Sequence, residues 1–125
     1  MIRRNERGQT MVEFALILPV LLVVIFGIIQ FGIAFNNYES LTDGVRAGAR
    51  LAAVSRQSPT PVADTTARVQ ASSGLTASKL AVTVTSDWVA GDPVTVSATY
   101  PYSINLLGIV VASGNLTSTT TERVE

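Results

Sequence analysis

The sequence predicts an α+β protein in which one long N-terminal helix carries a small C-terminal head. No charged residue occurs between Phe14 and Tyr38, so the first third of the chain contains an apolar segment long enough for a membrane-spanning helix. From residue 80 onward apolar and polar residues alternate, a period typical of β-strands. We therefore expect a transmembrane and stalk helix followed by a head with a three-stranded antiparallel sheet and one short helix.

Composition excludes several functional classes. The formal net charge of the 125 residues is zero and the arginines form no basic patch, which argues against a nucleic-acid partner. The chain has neither cysteine nor histidine, so disulfides, the usual Cys/His metal sites and Ser-His or Cys-His catalysis are excluded. We expect no enzyme and no cofactor, and a hydrolase that uses carboxylates alone is the remaining enzymatic alternative.

The apolar segment predicts a single membrane span over residues 14–35. These 22 residues form a helix of about 33 Å, which matches a hydrocarbon core of about 30 Å. Arg3, Arg4 and Arg7 precede the segment, and the first Lys or Arg after it is Arg46. Because positive charge is retained on the cytoplasmic side, we expect a cytoplasmic N-terminus and an extracytoplasmic head.

Three interpretations of the apolar segment compete. A secretory signal has an apolar region of only about 7 to 15 residues with a small-x-small cleavage site close behind it. Here the first such site, at residues 47–49, comes well after Phe35. A plain membrane anchor accounts for the hydropathy alone, and the third interpretation depends on Gly8 and Glu13.

Glu13 has two explanations in the sequence. Thr10-x-x-Glu13 has the form of a capping box, in which both side chains bond to free backbone N–H groups at the start of a helix. Glu13 also lies directly before Phe14, at the boundary of the apolar helix, where a charge is costly unless it is paired. The second explanation predicts a cationic partner for Glu13.

The order of these residues resembles a known signal. The chain has a basic leader, then Gly8, the residues from Gln9 to Glu13, Phe14 and a long apolar helix. This order resembles the class III signal of type IV pilin-like proteins, in the form found in tight adherence (Flp) pili and in TadE-like pseudopilins. The resemblance implies that a prepilin peptidase cleaves between Gly8 and Gln9. It also implies that the new α-amino group of a neighbouring subunit neutralises Glu13. The sequence departs from the family at Gln30, where many TadE-like proteins carry an acidic residue.

The function implied by the resemblance is assembly. The expected protein is a prepilin-like structural subunit, a TadE-like minor pilin or pseudopilin, in the cytoplasmic membrane and, after assembly, in an extracellular pilus. Its expected partners are the prepilin peptidase, other pilin subunits, the inner-membrane assembly platform and the lipid bilayer. The alternatives are a major subunit of a Tad-like filament and an uncleaved, single-span binding module.

The expected domain organisation is a basic leader over residues 1–8, the hydrophobic and stalk helix over residues 9–56, and the head over residues 57–125. Pro19 removes one backbone hydrogen bond inside the helix, so it predicts either a kink or a segment that melts on assembly. Gly44 and Gly48 are four residues apart and predict a face that another helix can approach closely.

The head sequence predicts its elements in order. A short helix is expected from residue 61 or 62 to about residue 72, closed by Gly74, then a hairpin of strands over residues 80–85 and 93–100, and a third strand over residues 116–125. Trp88 is expected to cover one end of the core. We expect the apolar run over residues 104–112 to be a buried connection, with a short helix or a surface for subunits or lipid as alternatives.

Overall fold

The computed structural model describes residues 6–125. Its elements are α1 (Glu6–Ala53), α2 (Pro61–Ser73), β1 (Ala81–Thr85), β2 (Pro93–Leu106) and β3 (Ile109–Arg123). The predicted combination of a long helix, a short second helix and a three-stranded antiparallel sheet is confirmed. The predictions for Arg3 and Arg4 concern residues outside the described part of the chain.

Helix α1 has two functionally different halves. Its 48 residues give a length of about 72 Å. No residue from 6 to 40 is buried, whereas a stripe at Leu41, Val45, Ala49 and Ala52 is completely buried. These residues recur every three or four positions, so one face of the C-terminal half forms part of the head's core. The N-terminal half projects away from that core.

The two glycines at the predicted close approach pack against α2. A Cβ atom at Gly44 would lie 2.7 Å from Ser73 Cβ and 2.9 Å from the Val69 carbonyl oxygen, and one at Gly48 would overlap Val69 Cγ2. The predicted helix contact is therefore confirmed, and its partner lies within the same chain. Helix α2 ends at Gly74, whose φ of 66° gives the predicted left-handed C-cap.

The sheet covers another side of α1. Its strand order is β1-β2-β3, with every pair antiparallel and β2 in the centre. Alternate residues of β2 from Val94 to Tyr100 are buried and join the stripe of α1 in one apolar core. Trp88 is half-buried against this core, as predicted. At the end of the chain Val124 is buried, and the Glu125 N–H donates to the Ala53 carbonyl oxygen at 2.8 Å.

The strands β2 and β3 are longer than the sequence pattern predicted. We expected β2 to end at residue 100, but it continues through Pro101, which pairs with Asn115, to Leu106. Proline is tolerated there because β1 pairs only with residues 95–99, so that edge of β2 has no neighbouring strand that requires the missing N–H group. Strand β3 begins at Ile109 instead of residue 116.

The expectation of a buried connection over residues 104–112 is wrong. These residues form the end of the β2–β3 hairpin, with Leu107 and Gly108 at the turn and positive φ angles of 51° and 86°. Two successive positive φ angles are typical of the two-residue hairpin turn of type I′. The small core ends before the turn, so nothing in the head covers it, and Ile109 is 68 % exposed.

Candidate assembly and processing site

The residues predicted to be cleaved and paired lie in the first turns of α1. Helical structure runs without a break through Gly8, Gln9, Glu13 and Phe14, with Gly8 partly buried and the other three exposed. Arg7, the leader charge within the described residues, is exposed on the same turns. The predicted cleavage site and the predicted contact residue are therefore one helical turn apart on one rigid element.

The hydrogen bonds around Glu13 exclude the capping box. The Thr10 hydroxyl donates to the Glu6 carbonyl oxygen at 2.9 Å, and the Gln9 Nε2 amide donates to Glu13 Oε1 at 3.5 Å. Helix α1 already extends back to Glu6, so Thr10 and Glu13 are inside the helix and the backbone N–H groups near them are used by its own ladder. The capping-box interpretation is wrong, and Glu13 remains an exposed carboxylate at the start of an apolar surface.

An apolar surface follows Glu13 on all sides of the helix. The large apolar side chains from Met11 to Phe35 are exposed, and the most hydrophobic part of α1 has no residue buried against the head. By length and composition α1 can cross a membrane, near the N-terminus of the chain. Such a surface is stable in lipid or among other apolar helices, and not in water.

Two further predicted features lie along this surface. Pro19 is within the continuous helix, and the prediction that it produces a kink or a melting segment stays a prediction. Gln30 is partly buried because the β2–β3 hairpin lies beside it, where Gln30 and Ala34 line a groove together with Lys79 and Tyr102. The nearest polar surroundings of Gln30 therefore come from its own head.

Within residues 6–125 there is no group of three or more metal-ligating side chains that could hold an ion. One groove between α1 and the hairpin is lined by Gln30, Asn37 and Lys79 together with tyrosine and apolar side chains, and a second groove between them is mainly apolar. The described residues provide a long apolar helix with one carboxylate, Glu13, near the beginning of its apolar surface and a small head at its C-terminal end.

The sequence reasoning missed the β2–β3 hairpin that carries residues 104–112, and it gave an exposed surface there only as an alternative to a buried connection. This hairpin runs beside α1 from Ala53 to the level of Gly27, where a Cβ atom would lie 3.9 Å from Leu106 Cδ2. The signal that could have found it is the Leu107-Gly108 pair between two apolar segments, since glycine is favoured at a hairpin turn. Four consecutive apolar residues, Ile109 to Ala112, interrupt the strand period there, so the pattern did not indicate one continuous strand.

The described residues combine an exposed apolar helix, long enough to cross a membrane, with a small α+β head whose core the same helix enters. A comparison with protein families places the N-terminal segment more narrowly: the model of the TadE-like protein family matches residues 8–50. The resemblance to TadE-like proteins that was inferred from the residues is thereby confirmed over that segment, which covers about a third of the chain. No curated protein and no solved structure matches the chain.

The family match covers the residues on which the assembly prediction depends. It begins at Gly8 and ends at Arg50, so it contains Gln9, Glu13 and the whole apolar helix, whereas residues 51–125 lie outside it. TadE-like proteins are pilin-like structural subunits, and the family implies membrane association and other pilin subunits as partners. Residues 8–50 are thus similar to a family of Tad pilus-associated, pilin-like subunits, and the apolar helix they contain is long enough to anchor the chain in a membrane.

Proposed function

We propose that the chain is a prepilin-like subunit, a TadE-like minor pilin or pseudopilin, which a prepilin peptidase cleaves between Gly8 and Gln9 before assembly into a tight-adherence-type pilus or its base. One observation carries the proposal. From Phe14 to Phe26 helix α1 is apolar on every side and has no residue buried against the head. Glu13, the carboxylate between the cleavage site and this segment, lies one turn from the end that cleavage would create.

Cleavage would change the charge at the start of the helix. The leader contributes Arg3, Arg4, Glu6 and Arg7, which hold the N-terminus at the cytoplasmic surface. Removal of the leader leaves a single α-amino group at Gln9. A helix that begins with this one group is easier to move out of the lipid interface than a helix that carries the charged leader. Because the Gly8–Gln9 peptide is in the first described turns of α1, the peptidase would require this end to unwind, and helix ends open at low cost.

Assembly would bury Glu13 among helices. A carboxylate that leaves the interface for an apolar bundle needs a cationic partner, and leaving one member of such a pair alone costs about 3–5 kcal/mol. The α-amino group at Gln9 of a neighbouring subunit would be that cation. The pairing makes insertion of a new subunit selective, because a helix whose α-amino group is absent or out of register would leave Glu13 unpaired.

The cleavage step is tested by the intact mass of the protein extracted from membranes. Cells that contain the peptidase should yield a chain lighter by residues 1–8, with Gln9 at its N-terminus, and cells without the peptidase should yield the full chain. Retention of residues 1–8 in both would refute cleavage and would favour the uncleaved binding module.

The pairing step is tested by neutralising one glutamate at a time. Glu13→Gln should be cleaved normally but should reduce incorporation into filaments by about a hundredfold or more, since the α-amino group loses its counterion. Glu6→Gln is the matched control, because Glu6 is also an exposed glutamate of α1 but leaves with the leader. Normal assembly of the Glu13 variant would refute the pairing. A filament built mainly from this chain would instead make it the major subunit.

A further inference from the structure

The turn of the β2–β3 hairpin lies beside a part of α1 that must be inside the membrane. The last charged residue before the apolar segment is Glu13, so a hydrocarbon core of about 30 Å that begins at Phe14 takes about 20 residues and ends near residue 33. Leu106 is next to Gly27, six residues before that limit. At about 1.5 Å per residue this position is about 9 Å below the surface of the hydrocarbon.

The hairpin has the composition that such a position requires. No Asp, Glu, Lys or Arg occurs from residue 93 to residue 121, although the rest of the head carries charges of both signs. Its turn exposes four large apolar side chains, each more than half exposed: Leu107, Ile109, Val110 and Val111. In water this patch would be costly, and it continues directly the apolar surface of α1.

We propose that this turn, residues 106–111, inserts into the leaflet on the C-terminal side of the span, as a second membrane contact of the same chain. A depth of about 5–10 Å is typical of apolar elements that lie in the membrane interface. The proposal requires that α1 spans the bilayer, and it is independent of cleavage and of assembly.

Polar and aromatic residues set the depth of insertion. Beyond Thr99 the hairpin has two strands only, and the unpaired backbone groups of their outer edges cannot enter hydrocarbon. Ser103 and Asn115 are exposed on this part of the hairpin and would be at headgroup level. Tyr38 of α1 and Tyr102 of β2 line one groove at the same level, which is where tyrosine rings concentrate in membrane proteins. Only the end of the hairpin, residues 106–111, goes deeper, and the exposed Asn105, which pairs with Val110, marks its limit.

The chain suits a site-directed test because it contains no cysteine. Three valines with similar exposed fractions lie at the positions to be compared. They are Val110 at the turn, 56 % exposed, Val20 in the membrane span, 64 % exposed, and Val89 at the opposite end of the hairpin, 53 % exposed. Each is changed singly to cysteine in the full chain and labelled with a nitroxide. The labelled chains are reconstituted at one chain per nanodisc of phosphatidylethanolamine and phosphatidylglycerol, and collision with oxygen and with a water-soluble nickel chelate is measured.

The label in Val110→Cys should behave as the label in Val20→Cys does, with a ratio of oxygen to nickel collisions several-fold above that in Val89→Cys. Adding Val111→Asp should return the Val110→Cys label to water without changing the Val20→Cys label. A Val110→Cys label as open to nickel as the Val89→Cys label would overturn the proposal. Protection that arises only with two or more chains per disc would assign the turn to a contact between subunits and would overturn it too. A Val20→Cys label open to nickel would show instead that the span itself is absent.

Discussion

Gly44 is the position where the contact between α1 and α2 allows the least change. A Cβ atom there would lie 2.7 Å from Ser73 Cβ, 2.9 Å from the Val69 carbonyl oxygen and 3.1 Å from the Ser73 backbone nitrogen. None of these atoms can rotate away, because all belong to the backbone of α2 or are attached directly to it. Gly44→Ala therefore requires α2 to move as a unit.

The magnitude follows from this displacement. Carbon atoms in contact are separated by about 3.5 Å or more, so α2 must retreat by about 0.8 Å and loosen the packing of its buried residues Thr65 and Val69. Forcing one extra methyl group into a packed core costs about 1–3 kcal/mol, and alanine returns about 1 kcal/mol through helix propensity. We expect Gly44→Ala to lower the free energy of unfolding by up to about 2 kcal/mol.

The assay is urea unfolding of the full chain in mild detergent, followed by the fluorescence of Trp88. Trp88 is the only tryptophan and packs against the core, so its emission reports on the head and not on the membrane helix. Gly32→Ala is the matched control, because no atom lies within 4 Å of a Cβ at that position. It should leave the urea midpoint unchanged.

A second substitution separates backbone from side-chain crowding. At Gly48 the overlapping atom is Cγ2 of Val69, so Gly48→Ala should be relieved by Val69→Ala, with a favourable coupling of about 0.5 kcal/mol or more in a double-mutant cycle. Val69→Ala should not relieve Gly44→Ala, whose obstacles are backbone atoms and Ser73 Cβ. Equal relief at both glycines, or a Gly44→Ala protein more stable than the original, would refute the close approach of the two helices.

Two further predictions concern the core and use the same Trp88 signal. Val124→Ala should lower the free energy of unfolding by about 2 kcal/mol because Val124 is 1 % exposed. Its control, Val54→Ala, changes a valine that is 61 % exposed and should change this free energy by less than about 0.5 kcal/mol. Equal effects of the two substitutions would contradict the burial of the chain end. Thr65→Val should stabilise the head by about 1 kcal/mol, since the buried Thr65 hydroxyl has no hydrogen-bond partner within residues 6–125. Thr66→Val, which removes an exposed hydroxyl, is its control, and a destabilised Thr65→Val protein would show that this hydroxyl is paired.

The sequence alone was sufficient for the features that depend on neighbouring residues. The apolar helix and its charged boundary at Glu13 are local patterns of charge and hydropathy, and Gly74 is a local helix stop. The family match over residues 8–50 rests on the same local pattern. The spacing of Gly44 and Gly48 predicted a helix contact, because a four-residue spacing places both on one face.

Only the tertiary structure decided which surfaces meet. It assigned the glycine face of α1 to α2 of the same chain, showed that Thr10 bonds within a helix that had already begun, and extended the β2–β3 hairpin along α1 to Gly27. Strand pairing joins residues far apart in the chain. The Leu107-Gly108 pair in residues 104–112 is a local signal for a turn, but no local pattern tells whether that turn is buried or exposed. Its exposure depends on where the small core ends, which is a property of the whole head.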